Sequence, residues 1–315
     1  MQDLDDVFDP PDEEEMETVA RRQFTYTPRA LQGAARVQRI FVAHPAFKSA
    51  LEGCDRIFQL SRELNVQQGA VLAGTTGVGK TALIRFFRST LPNSTLFEPG
   101  LGVLALRAPR RPNVGQIIGG LLRQLKYPFP VTSSTLSVRR DALIEALRHK
   151  GTRLIFIDEA DNLREQVQLR TRVYDDGTSA TDVLRELMDE VPLGLCLCGS
   201  NALLDLRTID VSLGGRVSAK FELREFEDDG NWRGFLHGFR QKSTEIDLSI
   251  IDSDPEAGRL HRACGGNPRT FKRFITEAVL IAVDAGSAVV TPAHLVLASE
   301  RTNGSVKAAG GPYAS

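Results

Sequence analysis

The stretch Gly74-Thr75-Thr76-Gly77-Val78-Gly79-Lys80-Thr81 constrains this chain more than any other. It fits G-x-x-x-x-G-K-[ST], a loop whose glycines let backbone N–H groups close around phosphate oxygens. Such a loop sits between a buried strand and the first turn of a helix, whose positive end points at the anion. Both neighbours are present: Gly69–Ala73 is a short apolar run, and Ala82–Ser89 has helical spacing. In this setting Lys80 reaches the β- and γ-phosphates of ATP, and the Thr81 hydroxyl ligates Mg2+. The nucleotide-contacting stretch extends to Ala82.

The surrounding pattern decides the fold class. Leu101–Leu106, Arg153–Ile157 and Leu193–Cys198 are apolar runs without alternation, separated by helical patterns at Asn113–Leu125 and Arg139–Arg148. Strands of that kind belong to a parallel sheet covered by helices on both faces. An earlier helical region runs from Thr27 to Leu64, interrupted at Pro45. Beyond about Phe221 the strand signals stop, and helices are expected over Asn231–Gln241, Glu256–Ala263, Pro268–Ala285 and Pro292–Ser299. The organisation expected is an acidic tail (1–25), an α/β core (26–222), a small helical unit (223–299) and a flexible tail (300–315).

Further motifs add chemistry to the loop. The buried strand Leu154-Ile155-Phe156-Ile157 ends in Asp158-Glu159. At the carboxyl edge of a parallel sheet, Asp158 would help hold Mg2+, and Glu159 would polarise the attacking water. Leu193–Cys198 ends in Gly199-Ser200-Asn201, so Ser200 or Asn201 can contact the γ-phosphate or orient the water; both residues also favour helix N-caps. Arg216 and Arg269 are candidate arginine fingers or sensors. The segment Arg107-Ala108-Pro109-Arg110-Arg111 packs three arginines together, and Arg139-Arg140 is a second basic pair. Such a segment is either a solvated loop or a surface whose arginines would contact DNA phosphates without reading sequence.

Charge is distributed unevenly. The net charge is −1, yet residues 1–20 carry nine acids and no Lys or Arg. Without that tail, 39 basic residues face 31 acidic ones, a net of +8. The simplest reading of the tail is a solubilising segment; a sharper one is a competitor for DNA or a docking arm. The four cysteines lack zinc spacing, and Cys196 and Cys198 alternate so as to face one side of a strand, as buried structural thiols do. No apolar stretch approaches a membrane span, and the acidic N-terminus is unlike a signal peptide, so a cytoplasmic location is expected.

Taken together, the motifs resemble those of an AAA+ ATPase, and within it the TniB/TnsC family of transposition regulators from Tn7-like and Tn5053-like elements. The resemblance covers Val42 to Ala298. Its carriers, besides the phosphate loop, are His44-Pro45, Ala108-Pro109-Arg110-Arg111-Pro112-Asn113, Ile117-Ile118-Gly119-Gly120-Leu121-Leu122 and Ile157-Asp158-Glu159-Ala160-Asp161-Asn162-Leu163. Leu203, Asp210 and Arg216, and the segment Cys264-Gly265-Gly266-Asn267-Pro268-Arg269, complete it.

The resemblance implies an AAA+ P-loop NTPase core with a C-terminal helical lid. It also implies ATP-bound subunits that assemble head to tail on double-stranded DNA, as a ring or helical filament. That assembly would link a TniQ-like target selector to a TnsB/TniA-like transposase, and hydrolysis would dismantle it. Lys80, Glu159, Ser200 or Asn201, and Arg216 carry catalysis in this picture, and Arg269 contacts the nucleotide. Arg107, Arg110, Arg111, Arg139 and Arg140 meet DNA. The acidic tail and the charged loop Arg164–Ser179 depart from the family pattern.

Rival readings are a replication initiator or helicase loader of the Cdc6/DnaC kind, and a scaffold that binds ATP without hydrolysing it. Initiators usually carry a winged-helix domain beyond the lid, for which the stretch after Ser299 is short. Glu159 weighs against the scaffold.

Overall fold

The computed structural model describes Met16 and residues 25–91, 102–127, 135–163, 179–208, 211–303 and 312–313. Most of the acidic tail, the charged stretch 164–178, Asp210 and most of the last dozen residues lie outside this set. Contacts divide the chain into two compact units.

The larger unit spans Ala43–Phe226 together with Asn267–Arg269. Its first two helices by chain order are preceded by one in the other unit, so numbering begins there: α1 is Pro28–Arg39 and α2 is Pro45–Glu63. There follow β1 (Gly69–Gly74), α3 (Lys80–Ser89), β2 (Val103–Arg107), α4 (Val114–Gln124), α5 (Leu136–His149) and β3 (Leu154–Asp158). Then come α6 (Ala180–Glu190), β4 (Gly194–Gly199), a 3-10 segment (Asn201–Thr208), α7 (Val211–Arg216) and β5 (Val217–Leu223).

The five strands form one parallel sheet in the order β2-β3-β4-β1-β5. β1 therefore lies between β4 and β5, and the chain leaving it crosses to the far edge. That reversal of direction opens the crevice beyond the strands' carboxyl ends where α/β sheets bind ligands. β1 and β4 are buried along their whole length, which explains their unbroken apolar sequences. Cys196 and Cys198 face one side as their spacing requires, with sulfurs 3.9 Å apart, and Cys54 of α2 hydrogen-bonds Cys196.

Helix starts follow their caps. Asn113 and Gln116 form a capping box before α4, and Ser179 and Asp182 form another before α6. The sequence reading did not anticipate α6, although Val183, Leu184, Leu187 and Met188 are buried at helical spacing.

β5 lies close against α2. A Cβ added to Gly53 of α2 would fall 2.0 Å from Cζ of Phe221. Gly53→Ala is expected to cost about 1–3 kcal/mol through this overpacking. Urea unfolding should show a lower midpoint at unchanged slope; an unchanged midpoint would mean that α2 and Phe221 part freely.

The smaller unit holds residues up to Val42, Glu227–Gly266, and Thr270 onward. Its remaining helices are α8 (Gly230–Gln241), α9 (Asp254–Cys264), α10 (Pro268–Asp284), whose first two residues group with the larger unit, and α11 (Pro292–Asn303). Trp232 is fully buried, stacks on Phe235, and donates its indole N–H to the Ala257 carbonyl at 2.9 Å. The first helix joins this unit, whereas the sequence boundary at residue 26 assigned it to the core. Thr27 donates its hydroxyl to Asp284 at 2.6 Å, Tyr26 bonds Glu277, and Lys272 donates to the Gln38 carbonyl at 2.7 Å. Among the described residues no helix is long and apolar enough to cross a membrane.

Candidate functional site: a phosphate loop at the sheet edge

The loop after β1 begins α3, and Gly79 there adopts φ of +112°. Lys80 folds back over its own loop, donating to the carbonyls of Gly74 and Thr75 at 2.6 and 2.7 Å. Burial lowers its pKa, opposed by the nearby charges of Asp158 and Asp161. The Thr81 hydroxyl donates to Asp158 Oδ2 at 2.9 Å. These two hard oxygen ligands suit Mg2+, an ion that takes few protein ligands and completes its shell with water and substrate phosphates. Among the described residues no cluster of three or more His, Cys, Asp or Glu side chains could hold a metal alone.

Glu159 follows directly, with φ of +55°. A non-glycine residue in this left-handed region is uncommon and gathers at functional sites. Its backbone N–H donates to Asp158 Oδ1 at 3.0 Å. Its carboxylate bonds the Arg107 guanidinium, and that contact holds its pKa below the usual glutamate range. Arg107 and Asp158 are register partners at the ends of β2 and β3, so the strand pairing itself delivers Arg107 to the site.

Arg107 is also the first arginine of the basic segment. Arg110 and Arg111 are exposed beyond it, and the charge of Arg110 reaches Glu159. The segment is tied to the end of β3: the Ala108 N–H donates to the Asp158 carbonyl at 2.8 Å, and Asn162 donates to the Ala108 carbonyl at 2.8 Å. Arg139 stands near its far end, with Nη1 3.8 Å from where a Cβ on Gly115 would lie. Arg140 pairs instead with Glu186 of α6 at 3.4 Å.

The two strand-end candidates diverge. Ser200 donates its N–H and its hydroxyl to the two carboxylate oxygens of Asp161, each at 2.6 Å. Asn201 donates to Glu222 of β5 at 3.2 Å. Ser200 follows β4 as the phosphate loop follows β1, and the two strands pair side by side through Ala73 and Gly199. Sequence reasoning gave Asp161 no role of its own; its place three residues after Asp158 was the available signal.

Arg216 makes a two-pronged ion pair with Asp189 of α6, at 3.0 and 2.9 Å. That pair holds it against α6 of its own subunit. Arg269 approaches the loop through its backbone: its N–H donates to the Gly77 carbonyl at 3.3 Å, and its charge is felt by Lys80. The structure thus gathers Lys80, Thr81, Asp158, Glu159, Arg107 and the segment Asn267–Arg269, with Ser200 joined through Asp161.

The family profile described as "Bacterial TniB protein" matches residues 34–227. No curated protein matches the chain in sequence. Among solved structures, the Aeropyrum pernix ORC2 protein is 18% identical and superposes with a TM-score of 0.62, covering 84% of this chain and 71% of its own. Cdc6p from Pyrobaculum aerophilum is 16% identical with a TM-score of 0.60, covering 84% and 70%. Domain III of the Thermotoga maritima initiator DnaA is 13% identical with a TM-score of 0.53, covering 87% and 96%. At these identities the likeness is one of fold, the AAA+ P-loop fold with its parallel sheet flanked by helices.

Proposed function

Because the chain belongs to the bacterial TniB family, we propose that it is an ATP-dependent, DNA-bound regulator of transposition whose hydrolysis is governed by DNA contact. The observation that carries this reading is the Arg107–Glu159 pair: one guanidinium belongs both to the exposed basic segment and to the carboxylate expected to activate water.

The chemistry follows from the site. Lys80 releases its loop carbonyls and turns to the β- and γ-phosphates of ATP. Thr81 and Asp158 would hold Mg2+, which would supply positive charge against that building on the phosphates. Glu159 draws a proton from the water that attacks the γ-phosphorus, giving ADP and phosphate. Ser200, aligned by Asp161, orients that water. While Arg107 binds Glu159, the carboxylate's best acceptor oxygen is engaged. A DNA phosphate competes for the same guanidinium through a charge-assisted hydrogen bond, and Glu159 is then free to act.

Arg107, Arg110, Arg111 and Arg139 are the DNA contacts in this scheme, all to phosphates. Subunits stack head to tail on the duplex, with Arg216 of one subunit facing the nucleotide of the next, as heterologous contacts allow, and Arg269 at the nucleotide of its own subunit. The assembly links a TniQ-like target selector to the transposase, and hydrolysis dismantles it. Family membership favours this role over replication initiation, since the likeness to initiators extends to fold alone.

Electron microscopy with duplex DNA and a non-hydrolysable ATP analogue tests the assembly. Rings or filaments are expected with both ligands together. Monomers under those conditions would sink the reading.

A further inference from the structure

Four consecutive carbonyls of the phosphate loop are occupied. Those of Gly74 and Thr75 accept from Lys80. That of Thr76 accepts from the Asn267 side-chain amide at 2.9 Å, and that of Gly77 from the Arg269 backbone N–H. In a trans peptide the C=O and the following N–H point in opposite directions. A carbonyl held on one side therefore turns the next N–H to the other. The four bonds together turn the N–H groups of Thr75, Thr76, Gly77 and Val78 away from these donors.

The bonds are not equivalent. Lys80 is the side chain that ATP recruits, so its two bonds are given up when nucleotide arrives. Those from Asn267 and Arg269 come from groups outside the loop, in a segment that joins the larger unit despite lying 191 residues downstream. Asn267 is itself anchored. Its Oδ1 accepts from the Arg269 N–H at 3.1 Å, and its side chain also bonds Glu225. The Glu225 carboxylate in turn accepts from the Thr75 hydroxyl. The fit is tight: a Cβ on Gly77 would lie 2.4 Å from Asn267 Oδ1, at a residue whose φ of +96° already calls for glycine.

We propose that Asn267 and Glu225 are positioning residues of the nucleotide site, holding the carbonyl side of the phosphate loop so that its N–H groups are set for the β-phosphate before nucleotide binds. The inference rests on the reading of Gly74–Thr81 as an ATP loop. Neither residue touches a reacting atom. Their effect is to remove part of the ordering cost of binding, so their loss falls on affinity for ATP and ADP alike and spares turnover at saturation.

Equilibrium titration of the full-length protein with fluorescent ATP and ADP analogues, paired with steady-state ATPase kinetics, tests this. Asn267→Ala removes the amide. Asn267→Asp keeps the size and the acceptor toward the Arg269 N–H but loses the amide that donates to Thr76 and Glu225, and sets a second carboxylate beside Glu225. Each is expected to weaken both nucleotides by roughly 3- to 10-fold, the worth of one hydrogen bond, and to raise KM by the same factor with little change in kcat. Thr75→Val breaks the link to Glu225 without touching Asn267 and should shift affinity in the same direction. Parent-like affinity in both Asn267 variants would overturn the proposal, as would a loss confined to kcat. If the Asn267 variants fail to fold by thermal melting, Thr75→Val decides, and unchanged affinity there overturns it. A parent protein that binds neither nucleotide removes the ATP reading and this inference with it; a parent that binds while folded variants match it removes this inference alone.

Discussion

Glu159→Gln is expected to bind ATP as tightly as the parent and to lose turnover by on the order of 100- to 10,000-fold, the range over which a positioned general base contributes. The substitution keeps the shape of the side chain and an oxygen acceptor for Arg107, but removes the charge that draws a proton from water. Phosphate release measured with and without DNA, beside a nucleotide titration, gives the two readouts. If hydrolysis dismantles the assembly, the variant should also persist on DNA in the presence of ATP, where the parent falls away. Parent-like turnover would remove Glu159 from its role.

The second large effect is expected on DNA. Replacing Arg107, Arg110 and Arg111 together with alanine should weaken duplex binding by on the order of 100-fold and lower the slope of log affinity against log salt by up to about 3, one for each lost phosphate contact. An unchanged salt slope would mean that these arginines do not meet the backbone. Arg107→Ala alone separates its two roles. The Arg110 and Arg111 changes should leave turnover without DNA near that of the parent, whereas Arg107→Ala should raise it and remove most of its response to DNA. Both side chains of the Arg107–Glu159 pair are well exposed, at 73% and 48%, so the gain is modest.

A pH profile gives a sharper signature. In the parent, Arg107 holds the Glu159 carboxyl below the usual glutamate range. Without Arg107 that pKa rises toward its ordinary value, and Glu159 takes up a proton at a higher pH as acid is added. The acid limb of turnover should therefore move upward in pH in Arg107→Ala. A limb that stays in place would mean that Arg107 does not set the titration of the group that limits turnover.

What the sequence disclosed were features carried by contiguous residues. The phosphate loop, the apolar strands and Asp158-Glu159 each announce themselves within a few positions, and the C-terminal helices follow from their spacing. The sheet order and the pairings at the site are different in kind. Thr75 meets Glu225, and Thr76 meets Asn267, 150 and 191 positions away. A single sequence holds no record of such partners, because each residue on its own is an ordinary polar side chain. Arg107 illustrates the intermediate case. Its basic neighbours pointed to DNA, but only the register between β2 and β3 puts it beside Glu159. Helix α6 was missed for a local reason: it follows a charged stretch that masked its capping box and apolar spacing.

The grouping of α1 with the C-terminal helices bears on how the chain matures during synthesis. Residues 43–226 are continuous, so the sheet and its helices can close as soon as they leave the ribosome, apart from the short clamp at 267–269. The smaller unit cannot. Thr27 waits for Asp284, 257 positions later, and Gln38 waits for Lys272. Ala30 and Ala34 likewise stay exposed to water until Leu280 is made. Contacts so distant in sequence form slowly, since the intervening chain must first be ordered. An interrupted or truncated translation product would thus present a finished nucleotide fold alongside an unpaired amphipathic helix, the kind of surface that chaperones and proteases recognise.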